Sequence, residues 1–77
     1  MKNLKLVIEK AQAQDQKAFN ELFNCYWSYL YNFQLKKTGN KNLAEEISII
    51  SFARAFDRIS TFNNQFTFKT WLLTISK

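Results

Sequence analysis

The sequence has no histidine and no proline, a single glycine, a single cysteine, and no carboxylate anywhere in its last twenty residues, Arg58 to Lys77. Without histidine, a zinc site of the usual Cys/His type is excluded, as are the Ser-His and Cys-His nucleophile pairs. The six carboxylates are scattered. No convergent set of acid, base, nucleophile or metal ligands can be assembled from them, so an enzyme is not expected, and no catalytic residue, metal or cofactor is assigned. Cys25 has no partner for an internal disulfide, and as a small apolar side chain it is expected in the core or at its edge. With Gly39 as the lone glycine and no proline, no segment looks like a flexible linker, and helices should dominate. No stretch reaches the ~18–20 apolar residues of a membrane span. The start Met1-Lys2-Asn3-Leu4-Lys5 lacks the apolar region and cleavage site of a signal peptide, so a cytoplasmic location is the expectation.

What is present is apolar and aromatic. At 47% hydrophobic and 17% aromatic, the 77 residues make a globular domain, but one whose thin core depends on good packing or on a partner. Helical spacing of Leu4, Val7, Ile8 and Ala11 predicts a first helix over 4–13. Asp15 suits the N-cap of a second, with Phe19, Leu22, Phe23, Tyr26, Leu30 and Phe33 as its apolar positions. That helix should stop near Lys37, where Lys36 and Lys37 favour the negative end of the dipole and Gly39 can adopt the left-handed conformation. Asn40 or Asn42 would cap a third helix reaching about Arg58. At about 100° per residue, Ala44, Ile47, Ser48, Ser51, Phe52, Ala55 and Ile59 fall on one side of it, and Glu46, Ile50, Ala53 and Asp57 on the other. A loop over 60–66 follows, and Thr67 would cap a fourth helix. The pattern Trp71, Leu72, Ile75 runs to Lys77 without a stop signal, so the native polypeptide is expected to continue. The fold class expected is an all-α bundle of three to four helices.

Around the loop, Phe62-Asn63-Asn64-Gln65-Phe66-Thr67-Phe68-Lys69-Thr70-Trp71-Leu72 brings amides, rings and a lysine together. Amides meet base edges, and unpaired bases stack on ring faces for about 1–3 kcal/mol each. The net charge is +5, and Arg58, Lys69 and Lys77 are uncompensated by any acid within their segment, which attracts phosphate. The plain alternatives are surface lysines serving solubility, and Phe62, Phe68 and Trp71 serving as core rings.

Three blocks in order carry a resemblance: Asp15-Gln16-Lys17-Ala18-Phe19, Ala44-Glu45-Glu46-Ile47 leading into Phe52-Ala53-Arg54-Ala55-Phe56, and Phe68-Lys69-Thr70-Trp71-Leu72. From about Leu4 to Lys77 the chain resembles region 2 of sigma-70-type sigma factors of the extracytoplasmic-function (ECF) group. The resemblance implies one region 2 domain over 1–77, with the region 4 helix-turn-helix absent. It implies docking of the third helix on the clamp helices of the β′ subunit of core RNA polymerase, here through Glu46, Ile49, Ile50, Ala53, Arg54 and Asp57. It also implies recognition and melting of the minus-ten promoter element, with a non-template base flipped into the loop. Asn63, Asn64, Gln65 and Phe66 would meet bases, Lys69 and Lys77 phosphates, and Thr70, Leu73 and Thr74 bases along the fourth helix. An anti-sigma factor is a further implied partner, and no membrane is.

The chain departs from the family in three places. Ile49-Ile50 stands where a Gln-Glu pair is common, Asn63-Asn64 where a basic residue and a glycine are frequent, and Phe66 where a small polar residue is usual. Ile49 and Ile50 are readable either as the apolar centre of a protein-binding patch or as one inward and one isolated surface residue. A different class of function is also open. Tyr26, Trp27, Tyr29 and Tyr31 cannot all face one core stripe, and exposed rings on the second helix would suit a small protein-interaction module without DNA binding.

Overall fold

Every α-helix starts at a short polar side chain that takes up an otherwise unpaired backbone N–H. The computed structural model describes residues 3–63 and 65–76. In it α1 covers Leu4–Gln12, α2 Gln16–Thr38, α3 Lys41–Asp57 and α4 Phe68–Ser76, with a 3-10 turn at Ile59–Thr61 between the last two. Among the described residues there is no strand. The Asn3 side chain accepts from the Leu6 N–H at 3.1 Å, Asp15 from Lys17 at 3.0 Å, Asn40 from Leu43 at 3.0 Å and Thr67 from Thr70 at 3.2 Å. Of the two asparagines open as caps for α3, Asn40 is the one used. Asn42 lies inside the first turn.

Two helices end on left-handed residues. Gly39 sits at φ +68° and its N–H reaches Leu35 O at 2.8 Å, closing α2 after Lys36 and Lys37. At the end of α1, Asp15 N–H bonds Lys10 O at 3.0 Å and Gln14 N–H bonds Ala11 O at 2.9 Å, a Schellman arrangement. Its left-handed position is held by Gln14, at φ +68°, where a Cβ is unfavourable.

The core runs through all four helices: Val7, Ile8 and Ala11 from α1, Ala18, Leu22 and Leu30 from α2, Phe52 and Ala55 from α3, and Phe68 and Leu72 from α4, joined by Ile59 and Phe62. α3 packs most extensively on α2, and the small side chains Ala44, Ser48, Ser51 and Ala55 line its buried side. Rings fill the gaps. Phe23 meets Phe52, and Phe19 meets Phe56, each at 4.8 Å between centroids, so two aromatic pairs bridge α2 and α3. A second ring group joins α2 to the chain's end: Tyr26 to Phe68 at 5.2 Å, with Phe62 edge-on to Phe68 at 5.7 Å and to Trp71 at 5.2 Å. Such pairs add about 0.5–1.5 kcal/mol each beyond the area they bury. Phe62, Phe68 and Trp71 are therefore core rings. Cys25, expected in the core or at its edge, is exposed. At about 100° per residue it stands some 140° from Leu30 but only about 60° from the buried Leu22 and about 20° from the buried Ala18, at the margin of the side that α2 turns inward.

Two buried or half-buried amides lock the chain's end to its beginning. Gln12 donates its Nε2 hydrogens to Ile59 O at 3.1 Å and to Phe62 O at 3.0 Å, fastening the last turn of α1 to both ends of the 3-10 turn. Gln34, fully buried in α2, donates to Ser76 Oγ at 3.1 Å, and Ser76 Oγ donates in turn to Leu73 O at 2.8 Å. Ser51 donates to Ile47 O at 2.6 Å, whereas the buried Ser48 hydroxyl has no partner among the described residues.

Removing the Gln12 clamp takes a donor from Phe62 O and from Ile59 O, of which Ile59 O keeps the Phe62 N–H at 3.1 Å, so Gln12→Ala should lower unfolding free energy by about 1–3 kcal/mol in urea titration. The left-handed positions respond in opposite directions. Gly39→Ala should cost about 1–2 kcal/mol, while Gln14→Gly should gain about 0.5–1 kcal/mol once the extra freedom of the unfolded glycine is subtracted.

Candidate functional site

The loop over 63–66 is held from both sides. Before it, the Phe62 ring is buried and its carbonyl is tied to Gln12. After it, Thr67 caps α4 and Phe68 is buried. Asn63 shapes the bend itself, its Oδ1 accepting from the Gln65 N–H at 3.0 Å, as in an Asx turn. Asn63 and Gln65 are both exposed. Phe66 is the most exposed large apolar side chain described, at 59%. Asn64 and Lys77, the remaining expected members of this surface, lie outside the described residues.

α4 continues this surface on the side opposite Phe68 and Leu72. Lys69, Thr70 and Thr74 are exposed. Thr67 Oγ1 donates to Thr70 Oγ1 at 2.9 Å and Thr74 Oγ1 donates to Thr70 O at 3.0 Å, so both hydroxyl protons are spent within the helix and the oxygens remain as acceptors. Leu73 is half-buried and packs against the core. Lys69 extends toward α2, where its Nζ lies 4.5 Å from the centroid of the Tyr29 ring. Tyr29 is itself exposed. The neighbouring Tyr26 phenol is pushed above its ordinary pKa, chiefly by burial and secondarily by Cys25. It stays protonated at neutral pH.

The second surface is the outward side of α3. Glu46, Ile49, Ile50, Ala53, Arg54 and Asp57 are all exposed. Ile49 and Ile50 are 50% and 43% exposed, which removes the reading in which one of them turns inward. With Asn42, Glu45 and Glu46 they line a shallow depression of about 350 Å³. Leu43, 43% exposed two turns before Ile50, extends the apolar strip, and sequence reasoning did not include it. Its signal was there: Leu43 stands seven residues before Ile50, two helical turns along the same side. A groove of about 340 Å³ opens beside Ile50, between Lys37 and Arg54, with Gln34 and Ser76 at its floor.

The other residues missed were the two amide clamps and Tyr29. Gln12 and Gln34 each stand four residues after a core residue, Ile8 and Leu30, so an amide in an apolar register was the available sign. The Lys69–Tyr29 pairing joins two helices distant in sequence and had no sign at all.

No protein-family model matches the chain. It is 36% identical over 72 residues to the ECF RNA polymerase sigma factor BldN of Streptomyces coelicolor, an alignment covering 92% of this chain and 27% of that protein. It is 32% identical over 73 residues to the ECF RNA polymerase sigma factor SigW of Bacillus subtilis, covering 95% of this chain and 39% of that one. The chain thus spans well under half the length of either relative. The matches run through all four helices, and on them the chain belongs to the ECF group of the sigma-70 family of sigma factors.

Proposed function

We propose that the chain works in transcription initiation as the sigma region that docks on core RNA polymerase through α3 and holds unpaired bases of the minus-ten promoter element at the loop and α4. The observation that carries this reading is the braced loop, which exposes Asn63, Gln65 and Phe66 beside Lys69 and Thr70 while its flanking rings are buried. A flipped base loses pairing and stacking worth a few kcal/mol, and amide hydrogen bonds with a stacking ring are what replaces them. Lys69 supplies a positive charge for the strand's phosphates, in a segment free of acids. The exposed isoleucines of α3, rimmed by Glu46, Arg54 and Asp57, have the apolar centre and charged rim of a protein-docking patch. The β′ clamp helices are the partner that the family resemblance names for it.

Two measurements test the two surfaces separately. The chain should bind single-stranded minus-ten-type non-template DNA in preference to the same sequence as duplex, with affinity falling as salt rises. Replacing Asn63, Gln65 and Lys69 by alanine should weaken that binding by about tenfold or more, on the scale of one to a few contacts; equal binding by the triple variant would remove the loop from the reading. Ile50→Glu should reduce capture of core polymerase about tenfold while shifting unfolding free energy by less than about 0.5 kcal/mol, since the residue is exposed. Unchanged capture would exclude this side of α3.

A further inference from the structure

We propose that Tyr29 is a positioning residue, holding the Lys69 ammonium in place for a phosphate of the bound strand; this rests on the reading of the loop and α4 as a single-strand surface. Lys69 Nζ lies 4.5 Å from the Tyr29 ring centroid, within the range of a cation–π contact. The ring is exposed and takes no part in the hydrophobic core, unlike Tyr26 one turn before it, so packing does not account for its placement. Tyr26 packs on Phe68 in a tilted ring pair at 5.2 Å, and this contact fixes α2 against the first turn of α4, bringing Tyr29 under Lys69.

The choice of an aromatic partner has a chemical consequence. A carboxylate would also fix the lysine, but it would neutralise the charge that a phosphate needs. No acid lies in α4 or in the loop before it, and the only one in α2 is Glu21, two turns before Tyr29. A ring restrains the flexible lysine stem and leaves the full positive charge free on its outer side. Part of the ordering entropy of Lys69 is thereby lost before the strand arrives, which strengthens the phosphate contact.

The test is a double-mutant cycle, read by fluorescence anisotropy with a fluorescein-labelled pool of random-sequence single strands, because phosphate contacts are indifferent to sequence. Tyr29→Leu should weaken binding about 2–5-fold when Lys69 is present and leave it unchanged in a Lys69→Ala background, whereas Tyr29→Phe, which keeps the ring, should bind like the native chain. In NMR spectra of the free chain, the ε-methylene protons of Lys69 should be shifted upfield by the ring, remain so in Tyr29→Phe, and return to ordinary positions in Tyr29→Leu. Equal weakening by Tyr29→Leu in both backgrounds overturns the proposal. So does a Lys69→Ala loss that Tyr29→Leu does not share. Failure of the native chain to bind any single strand overturns the proposed function instead, and the proposal with it.

Discussion

The side-chain amide of Gln12 determines where the working end of this domain lies. Its two hydrogen bonds go to the carbonyls that bracket the 3-10 turn: Phe62 O, just past it, and Ile59 O, which also accepts from the Phe62 N–H at 3.1 Å. Satisfying them from α1 does two things. It makes the chain reversal after α3 a fixed feature, and it sets Phe62 where its ring can meet Phe68 and Trp71 edge-on. The loop between Phe62 and Phe68 is then anchored by a buried ring at each end. Asn63, Gln65 and Phe66 are carried between these anchors without contributing to the core, which frees them for contacts outside the molecule.

The distribution of apolar surface follows the same economy. Fully burying an Ile or Phe side chain is worth about 1.5–3 kcal/mol, and a chain of this length has little stability to spare. Ile49, Ile50, Leu43 and Phe66 nonetheless stand in water. On α3 the opposite side is filled by Ala44, Ser48, Ser51 and Ala55, residues small enough to let the helix approach α2 while the aromatic pairs Phe23–Phe52 and Phe19–Phe56 supply the burial. The helix thus places its larger aliphatic side chains outward and its small ones inward. That arrangement leaves apolar area unburied in the isolated domain, as the proposed docking role of α3 requires.

Local rules made most of this architecture legible in advance. Asp15, Asn40, Thr67 and Gly39 act at helix ends through bonds to residues two to four positions away, so their roles are written in short windows of sequence. The two sides of α3 followed from periodicity alone, down to the opposition of Ser48 and Ala53. Cys25 was misplaced because its burial was read from the general tendency of the residue type, and the register of α2 sets it only at the margin of the packed side, three residues after Leu22 and seven after Ala18. The amide clamps and the Lys69–Tyr29 contact escaped for a different reason. Each depends on how two helices sit against each other, and that is fixed by the whole core rather than by any window around the residues concerned.

The departures from the family pattern take on meaning in this geometry. Asn63 stands where a basic residue is frequent, and its Oδ1 is already occupied by the Gln65 N–H. Outward it has only N–H groups to give, so in the proposed role it matches base acceptors and cannot pair with an exocyclic amine. Gln65, which is exposed, can offer both a donor and an acceptor. In that role the loop discriminates by the arrangement of amide groups more than by charge, since the nearest cations along the chain are Arg58, five residues before Asn63, and Lys69, three residues after Phe66. A lone cation attracts a phosphate from many angles. Held against an aromatic face by a neighbouring helix, it does so from one direction, and in the proposed role this restraint lets the exposed Asn63, Gln65 and Phe66 read a strand in a single register.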